Sequence, residues 1–173
     1  MSTKFKVNIA GSNLAIKDRL IEVSGKEGKQ SLSIEYPFIK ISKEGDELRI
    51  DANKDVSYQK AIAGTIAANI RNMIKGVNEK YTAELELVYQ HFPASMKLAG
   101  DRLVVENFVG ERKPREIKLP KDVKVSVNGT KIQIVGINKY AVGQAAALIE
   151  SKIQIKNKDR RVFKDGVYIT KKP

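Results

Sequence analysis

One pattern, written twice, constrains this chain more than any other feature. In the first half, Ile39-Lys40-Ile41-Ser42, then Lys43-Glu44-Gly45-Asp46, then Glu47-Leu48-Arg49-Ile50 read as strand, turn and strand, because apolar and polar residues alternate on either side of a glycine. In the second half, Val123-Lys124-Val125-Ser126-Val127, Asn128-Gly129 and Thr130-Lys131-Ile132-Gln133-Ile134 read the same way. Asn-Gly between alternating strands predicts a tight hairpin turn with both turn residues at positive φ. Each hairpin is followed by a helical pattern. The first is predicted from about Val56 to Lys75, with Ile62, Ile66, Ile70 and Ile74 at spacing four, Asp55 or Ser57 as the cap and Gly76 as the stop. The second is predicted from about Lys139 to Ile153, with Val142, Ala146, Ile149 and Ile153 on one face and Asn138 as the cap.

The likeness extends outward. Gly64 follows Ala63 in the first helix as Gly143 follows Val142 in the second. A mid-helix glycine costs roughly 1 kcal/mol relative to alanine. Its recurrence predicts close approach of each helix to a sheet. Upstream, Arg19 to Val23 leads through Gly25 and Gly28 to Leu32-Ser33-Ile34, and Arg102 to Val105 leads through Asn107 and Gly110 to Glu116 to Leu119. The fold class is therefore α+β: two similar domains, each a small, mainly antiparallel sheet packed on one helix, arising by internal duplication. The alternative is chance similarity between two amphipathic helices that follow hairpins. The domains are set at residues 1–80 and 81–173. The alternating run Tyr81 to Tyr89 reads as a strand carrying the chain from one to the other.

Composition narrows the function. The 173 residues carry a net charge of +12, which favours a polyanionic partner. The absence of cysteine excludes disulfides, thiolate catalysis and Cys-ligated metals, and a single histidine, His91, leaves little for a zinc site or a catalytic triad. His91, just before Phe92-Pro93, reads as a structural residue in a bend. No phosphate-loop or dinucleotide fingerprint occurs. Gly25-Lys26-Glu27-Gly28-Lys29 resembles a phosphate loop only superficially: it lies between two strands, without the helix N-terminus that would bind phosphate, and reads as a basic turn. Neither a metal nor a cofactor is expected. No apolar run approaches membrane-spanning length and no leader pattern opens the chain, so the expected location is the cytosol.

What remains is binding. Residues 151–173 hold eight basic residues against two acidic ones, half of the chain's net charge. Lys156, Lys158, Arg160, Arg161, Lys164, Lys171 and Lys172 are the candidates for phosphate contact, with Tyr168 as a candidate for stacking on a base. Val162, Phe163, Val167, Tyr168 and Ile169 are set among the charges. This predicts an ordered platform, turned at Asp165-Gly166, rather than a solvated tail. A second basic cluster, Arg112, Lys113 and Arg115, crowds a loop around Pro114. It is either an RNA contact or an exposed charged loop.

Several motifs carry a family resemblance: Asn72-Met73-Ile74-Lys75-Gly76-Val77, His91-Phe92-Pro93, Asn107 to Arg115, Val142-Gly143-Gln144-Ala145-Ala146, and Asp159 to Ile169. In this order they resemble the universal large-subunit ribosomal protein called L-six, in its archaeal and eukaryotic branch. The likeness spans about Arg19 to Ile169. The chain departs from it in lacking a Pro-x-Gly-Val start and in having Lys26 where a Pro-Lys pair is usual. The resemblance implies a structural, non-enzymatic constituent of the large ribosomal subunit. Its place would be near the stalk base and the sarcin–ricin loop, beside neighbouring ribosomal proteins and where translation factors dock. It points to Arg160, Arg161 and Lys164 as rRNA contacts, with Arg112, Lys113 and Arg115 beside them. The alternatives come from two other classes. An RNA-modifying or RNA-processing enzyme with a basic groove would need a general acid or base that the sequence does not display. A peripheral membrane module would want a basic helix with large apolar anchors, and the chain has no tryptophan.

Overall fold

A computed structural model describes the chain except for residues 1–3, 10, 11, 18, 46, 55 and 160, together with the side chains of Lys4 and Lys17. The chain separates into two compact units, Met1–Lys80 and Tyr81–Pro173.

In the first unit, β1 (Lys4–Asn8), β2 (Asn13–Lys17), β3 (Leu20–Gly25), β4 (Gly28–Ser33), β5 (Ile39–Glu44) and β6 (Glu47–Ala52) precede one helix, α1 (Ser57–Asn78). The strands form two antiparallel three-stranded sheets, β1-β6-β5 and β2-β3-β4, where sequence reading expected one. Alternation explains the burial: Leu48, Ile50 and Ala52 of β6 point inward together with Ile21 and Val23 of β3. The buried face of α1 is Ala63, Ile66, Ala67, Ile70, Met73, Gly76 and Val77, so the predicted stripe is shifted, with Ile62 and Ile74 at its margins.

Both predicted ends of α1 need correction. Val56, not Ser57, occupies the cap position and makes no side-chain cap. Instead the Lys54 N–H reaches the Gln59 side chain at 2.8 Å. Asp55, the other predicted cap, lies outside the described residues. Gly76 does not stop the helix, which continues to Asn78, because the β3–β4 turn closes it from outside. There the Glu27 N–H donates to the Val77 carbonyl at 2.8 Å and Asn78 Nδ2 donates to the Ile74 carbonyl at 3.0 Å. A Cβ on Gly25 would stand 2.7 Å from that same Val77 carbonyl oxygen, so this turn requires glycine for approach. The segment that superficially resembles a phosphate loop is a docking turn.

In the second unit, β7 (Tyr81–Val88), β8 (Ser95–Ala99), β9 (Arg102–Glu106), β10 (Arg115–Lys118), β11 (Lys124–Asn128) and β12 (Lys131–Gly136) precede α2 (Lys139–Lys152), and a further strand, β13 (Gly166–Lys171), follows. The sheets are β10-β9-β8 and β11-β12-β7-β13, all neighbours antiparallel. β7 is thus an inner strand of the second unit, not a connector. Tyr81, Ala83, Leu85 and Leu87 alternate into its core, each large side chain contributing about 2 kcal/mol by burial. They meet Val142, Ala145, Ala146 and Ile149 of α2, whose start Asn138 caps through Oδ1 to the N–H groups of Tyr140 and Ala141.

Two glycine expectations also change. The hairpin turn comprises Gly129 and Thr130, since Asn128 still pairs with Lys131. Gly129 has φ +61° and Asn128 is not at positive φ, the pattern of a turn with glycine in its first central position. The helix glycines do not mark forced contact either. A Cβ on Gly64 would be 3.4 Å from the Phe5 ring, and one on Gly143 would meet Pro173 at 3.9 Å. The close approach is at Gly136, where a Cβ would fall 2.8 Å from Val142 Cγ2.

Candidate nucleic-acid interface

The basic C-terminal segment is built into the second unit. After α2, Ile153 is buried, Gln154 bridges Gly166, and β13 lies along β7 from Gly166 opposite Val88 to Ile169 opposite Leu85. Val167 is buried in the core and its N–H donates to the Ile153 carbonyl at 3.2 Å. The expected turn at Asp165-Gly166 is not there. The chain turns at Asp159, whose carbonyl accepts from the N–H groups of Val162 and Phe163 at 3.1 and 2.9 Å. Gly166 already belongs to β13 and is not at positive φ. Its lack of a side chain matters because a Cβ would stand 3.3 Å from the Ile153 carbonyl and 3.4 Å from the Tyr168 ring.

Asp165 is the anchor. It is 2% exposed and is the one buried charged residue among those described. One carboxylate oxygen accepts from the N–H groups of Gln90 and His91 at 2.8 and 3.2 Å, and the other lies 2.7 Å from His91 Nδ1. Burial pushes its carboxyl up, but these hydrogen bonds prevail and hold it below the ordinary 3.8. The His91 ring stacks on Phe163, centroids 4.6 Å apart. The lone histidine is therefore structural: with Asp165 it fastens the segment to the end of β7. The pair was missed in sequence because 74 residues separate its members.

Around this anchor the predicted residues distribute unevenly. Lys156, Lys164 and Lys172 are exposed. Lys158 is exposed, with Nζ 5.5 Å from the Phe163 ring centroid. Arg161 is exposed and pairs with Asp159, Nη2 to Oδ2 at 3.1 Å. Its hydrogen bonds hold the Asp159 carboxyl below its ordinary value. Lys171 lies 3.7 Å from Glu84. Tyr168 is half-buried, and its hydroxyl donates to the Lys164 carbonyl at 3.0 Å, a staple within the segment. Arg160 lies outside the described residues.

In the second cluster, Arg112 and Lys113 are exposed but Arg115 is not free. Its Nε donates to Glu111 at 2.8 Å, its Nη2 also donates to Glu111, and its Nη1 donates to the carbonyls of Lys152 and Gln154 at 3.1 and 2.9 Å. The guanidinium lies 4.4 Å over the ring of Phe108, itself 1% exposed. The Glu111 carboxyl is held low by this partner. Phe108 and Glu111 fall within the motif Asn107 to Arg115, but linear sequence carries no sign that they hold Arg115. Both clusters lie on the second unit. Among the described residues, no group of three or more His, Cys, Asp or Glu could hold a metal, and no helix is long and apolar enough to cross a membrane.

The family description "Ribosomal protein L6" matches residues 92–166. The chain is similar to the large ribosomal subunit protein uL6 of Methanosarcina mazei, 41% identical over 162 residues, covering 94% of this chain and 92% of that protein. It is 40% identical to the protein of that name from Haloarcula marismortui over 153 residues, 88% of this chain and 86% of that one. With that from Thermoplasma acidophilum it shares 38% over 168 residues, 97% and 90% of the two chains.

Proposed function

This chain belongs to the ribosomal protein L6 family, in its archaeal form, and we propose from that premise that it is a structural constituent of the large ribosomal subunit that binds large-subunit rRNA through its second unit. The role is architectural rather than enzymatic, and its place is the ribosome. The observation that carries the RNA-binding reading is the fixed C-terminal segment. Exposed Lys156, Lys158, Arg161 and Lys164 flank a clamp made by Asp165, His91 and Phe163. Cations on an ordered support do not lose conformational freedom when they meet phosphates, so each contributes more than on a loose tail. Charge agrees: residues 81–173 carry eighteen basic and ten acidic residues, net +8, against fourteen and ten, net +4, for 1–80.

We assign the two units to two domains, 1–80 and 81–173. The site on the subunit is the region near the stalk base and the sarcin–ricin loop, beside other ribosomal proteins and close to where translation factors dock, as the family resemblance implies. The test is co-sedimentation with large subunits, followed by hydroxyl-radical footprinting from an iron chelate tethered at position 164. Cleavage confined to rRNA around the sarcin–ricin loop is expected. Failure to co-sediment would overturn the functional reading, and cleavage elsewhere would overturn the placement.

A further inference from the structure

The loop from Asn107 to Arg115 is held more firmly than an exposed basic loop needs to be. Asn107, Val109 and Gly110 have φ of +55°, +53° and +77°, and Val109 is β-branched, a side chain rarely found there. Such a conformation persists only where surrounding contacts impose it. Here Phe108 is buried, Asn107 Nδ2 donates to the Pro93 carbonyl at 2.8 Å, and a Cβ on Gly110 would meet the Phe92 ring at 3.5 Å. The ion pair of Glu111 with Arg115 then closes a ring around Arg112, Lys113 and Pro114. Arg115 also bonds the carbonyls of Lys152, the last residue of α2, and Gln154, where the basic segment departs. Helix C-terminal carbonyls lack intrahelical donors, and a guanidinium satisfies both their hydrogen bonding and the negative end of the helix dipole. Four of the five guanidinium N–H groups are thus engaged inside the protein.

We propose that Arg115 is a positioning residue rather than an RNA contact: with Glu111 it locks Arg112 and Lys113 to the root of the C-terminal segment, so that loop and segment meet one RNA as a single surface. This rests on the rRNA-binding reading above. It makes an acidic residue, Glu111, a requirement for binding a polyanion. If the ion pair merely competed with RNA for Arg115, removing the carboxylate would strengthen binding. If it holds the loop, removal must weaken binding although the protein becomes more positive.

The experiment measures binding of the full chain to deproteinised large-subunit rRNA across a salt series, with thermal melting of each protein beforehand. Glu111→Gln is expected to weaken binding about tenfold, the size of one lost charge-assisted hydrogen-bonded pair. Arg115→Lys keeps the charge but not the planar fork, and is expected to weaken it similarly. It also carries the test if Glu111→Gln melts below the assay temperature. Arg112→Ala should cost about tenfold in the wild-type protein but less than about twofold in the Arg115→Lys background, where the loop no longer holds Arg112 in place. Tighter binding by Glu111→Gln, with a salt slope steeper by about 0.9, would overturn the proposal, as would wild-type affinity in Arg115→Lys. Wild-type protein that fails to bind the rRNA would instead overturn the proposed function.

Discussion

The two units repeat one topology and differ at one strand. In the first, β1 pairs with β6, which pairs with β5, beside the sheet β2-β3-β4. In the second, β7 pairs with β12, which pairs with β11, beside β8-β9-β10. Strand for strand the order is the same, with a helix after each hairpin. The difference is at the outer edge of the leading strand. β1 stands at the edge of its sheet, whereas β7 is covered by β13, folded back from the basic C-terminal segment. The second unit thus carries the same scaffold with one added strand. That strand brings its own fasteners: Val167 in the core, Asp165 under the Gln90–His91 bend, and Phe163 against His91.

The largest expected effect divides the units outright. Residues 81–173 expressed alone should bind deproteinised large-subunit rRNA within about threefold of the full chain, while residues 1–80 bind on the order of a thousandfold more weakly, at the level of non-specific contact. Comparable binding by the two fragments would break the comparison. Next is Asp165→Ala, which leaves the N–H groups of Gln90 and His91 and the His91 ring without their acceptor. A loss of about 3 kcal/mol in urea denaturation is expected, confined to the second unit's transition. Gly166→Val should cost about 2 kcal/mol by pressing a side chain onto the Ile153 carbonyl and the Tyr168 ring, and should lower RNA affinity without removing charge. Wild-type stability in that variant would mean β13 is not seated as described.

Acid titration sharpens the same difference more gently. Because the Asp165 carboxyl lies below its ordinary 3.8 in the folded protein, its stabilisation is complete above that value and is lost as pH falls through the lower folded value. The second unit should therefore lose stability on acidification below about pH 4, and Asp165→Asn should remove that part of the slope. Identical acid profiles for wild type and variant would show that the buried carboxylate is not the cause. The smallest effect is that of Arg161→Ala. Its side chain is 90% exposed, so stability should stay within about 0.5 kcal/mol. The salt dependence of RNA binding should flatten by about 0.9 if it meets one phosphate, and an unchanged slope would remove Arg161 from the interface.

Local periodicity accounts for the elements that were legible in the sequence. The hairpins at Ile39–Ala52 and Lys124–Gly136, the helix capped by Asn138 and the repeat itself were legible, because a period of two or of about four residues is written into neighbouring positions. Errors arose where a distant segment decided a local matter. Gly76 did not end α1 because the turn at Glu27 satisfies the Val77 carbonyl. Asp165-Gly166 was not a turn because β7 recruits that stretch as a strand. Linear sequence likewise does not show that Lys152, Gln154 and Phe108 surround Arg115.

The sequence by itself determined the class, the repetition and the polarity of the chain: α+β units written twice, and a surplus of positive charge gathered in the last 23 residues. These are additive properties, summed from residues one at a time or read at short spacing. Tertiary structure alone decided which of the charges are held and which are presented. A guanidinium or carboxylate becomes a fastener only when partners 37 to 75 residues away arrive within hydrogen-bond distance, as Lys152 and Gln154 do for Arg115 and as Gln90 and His91 do for Asp165. Hydrogen bonds act over about 3 Å, and nothing in linear spacing encodes which distant groups will close that gap.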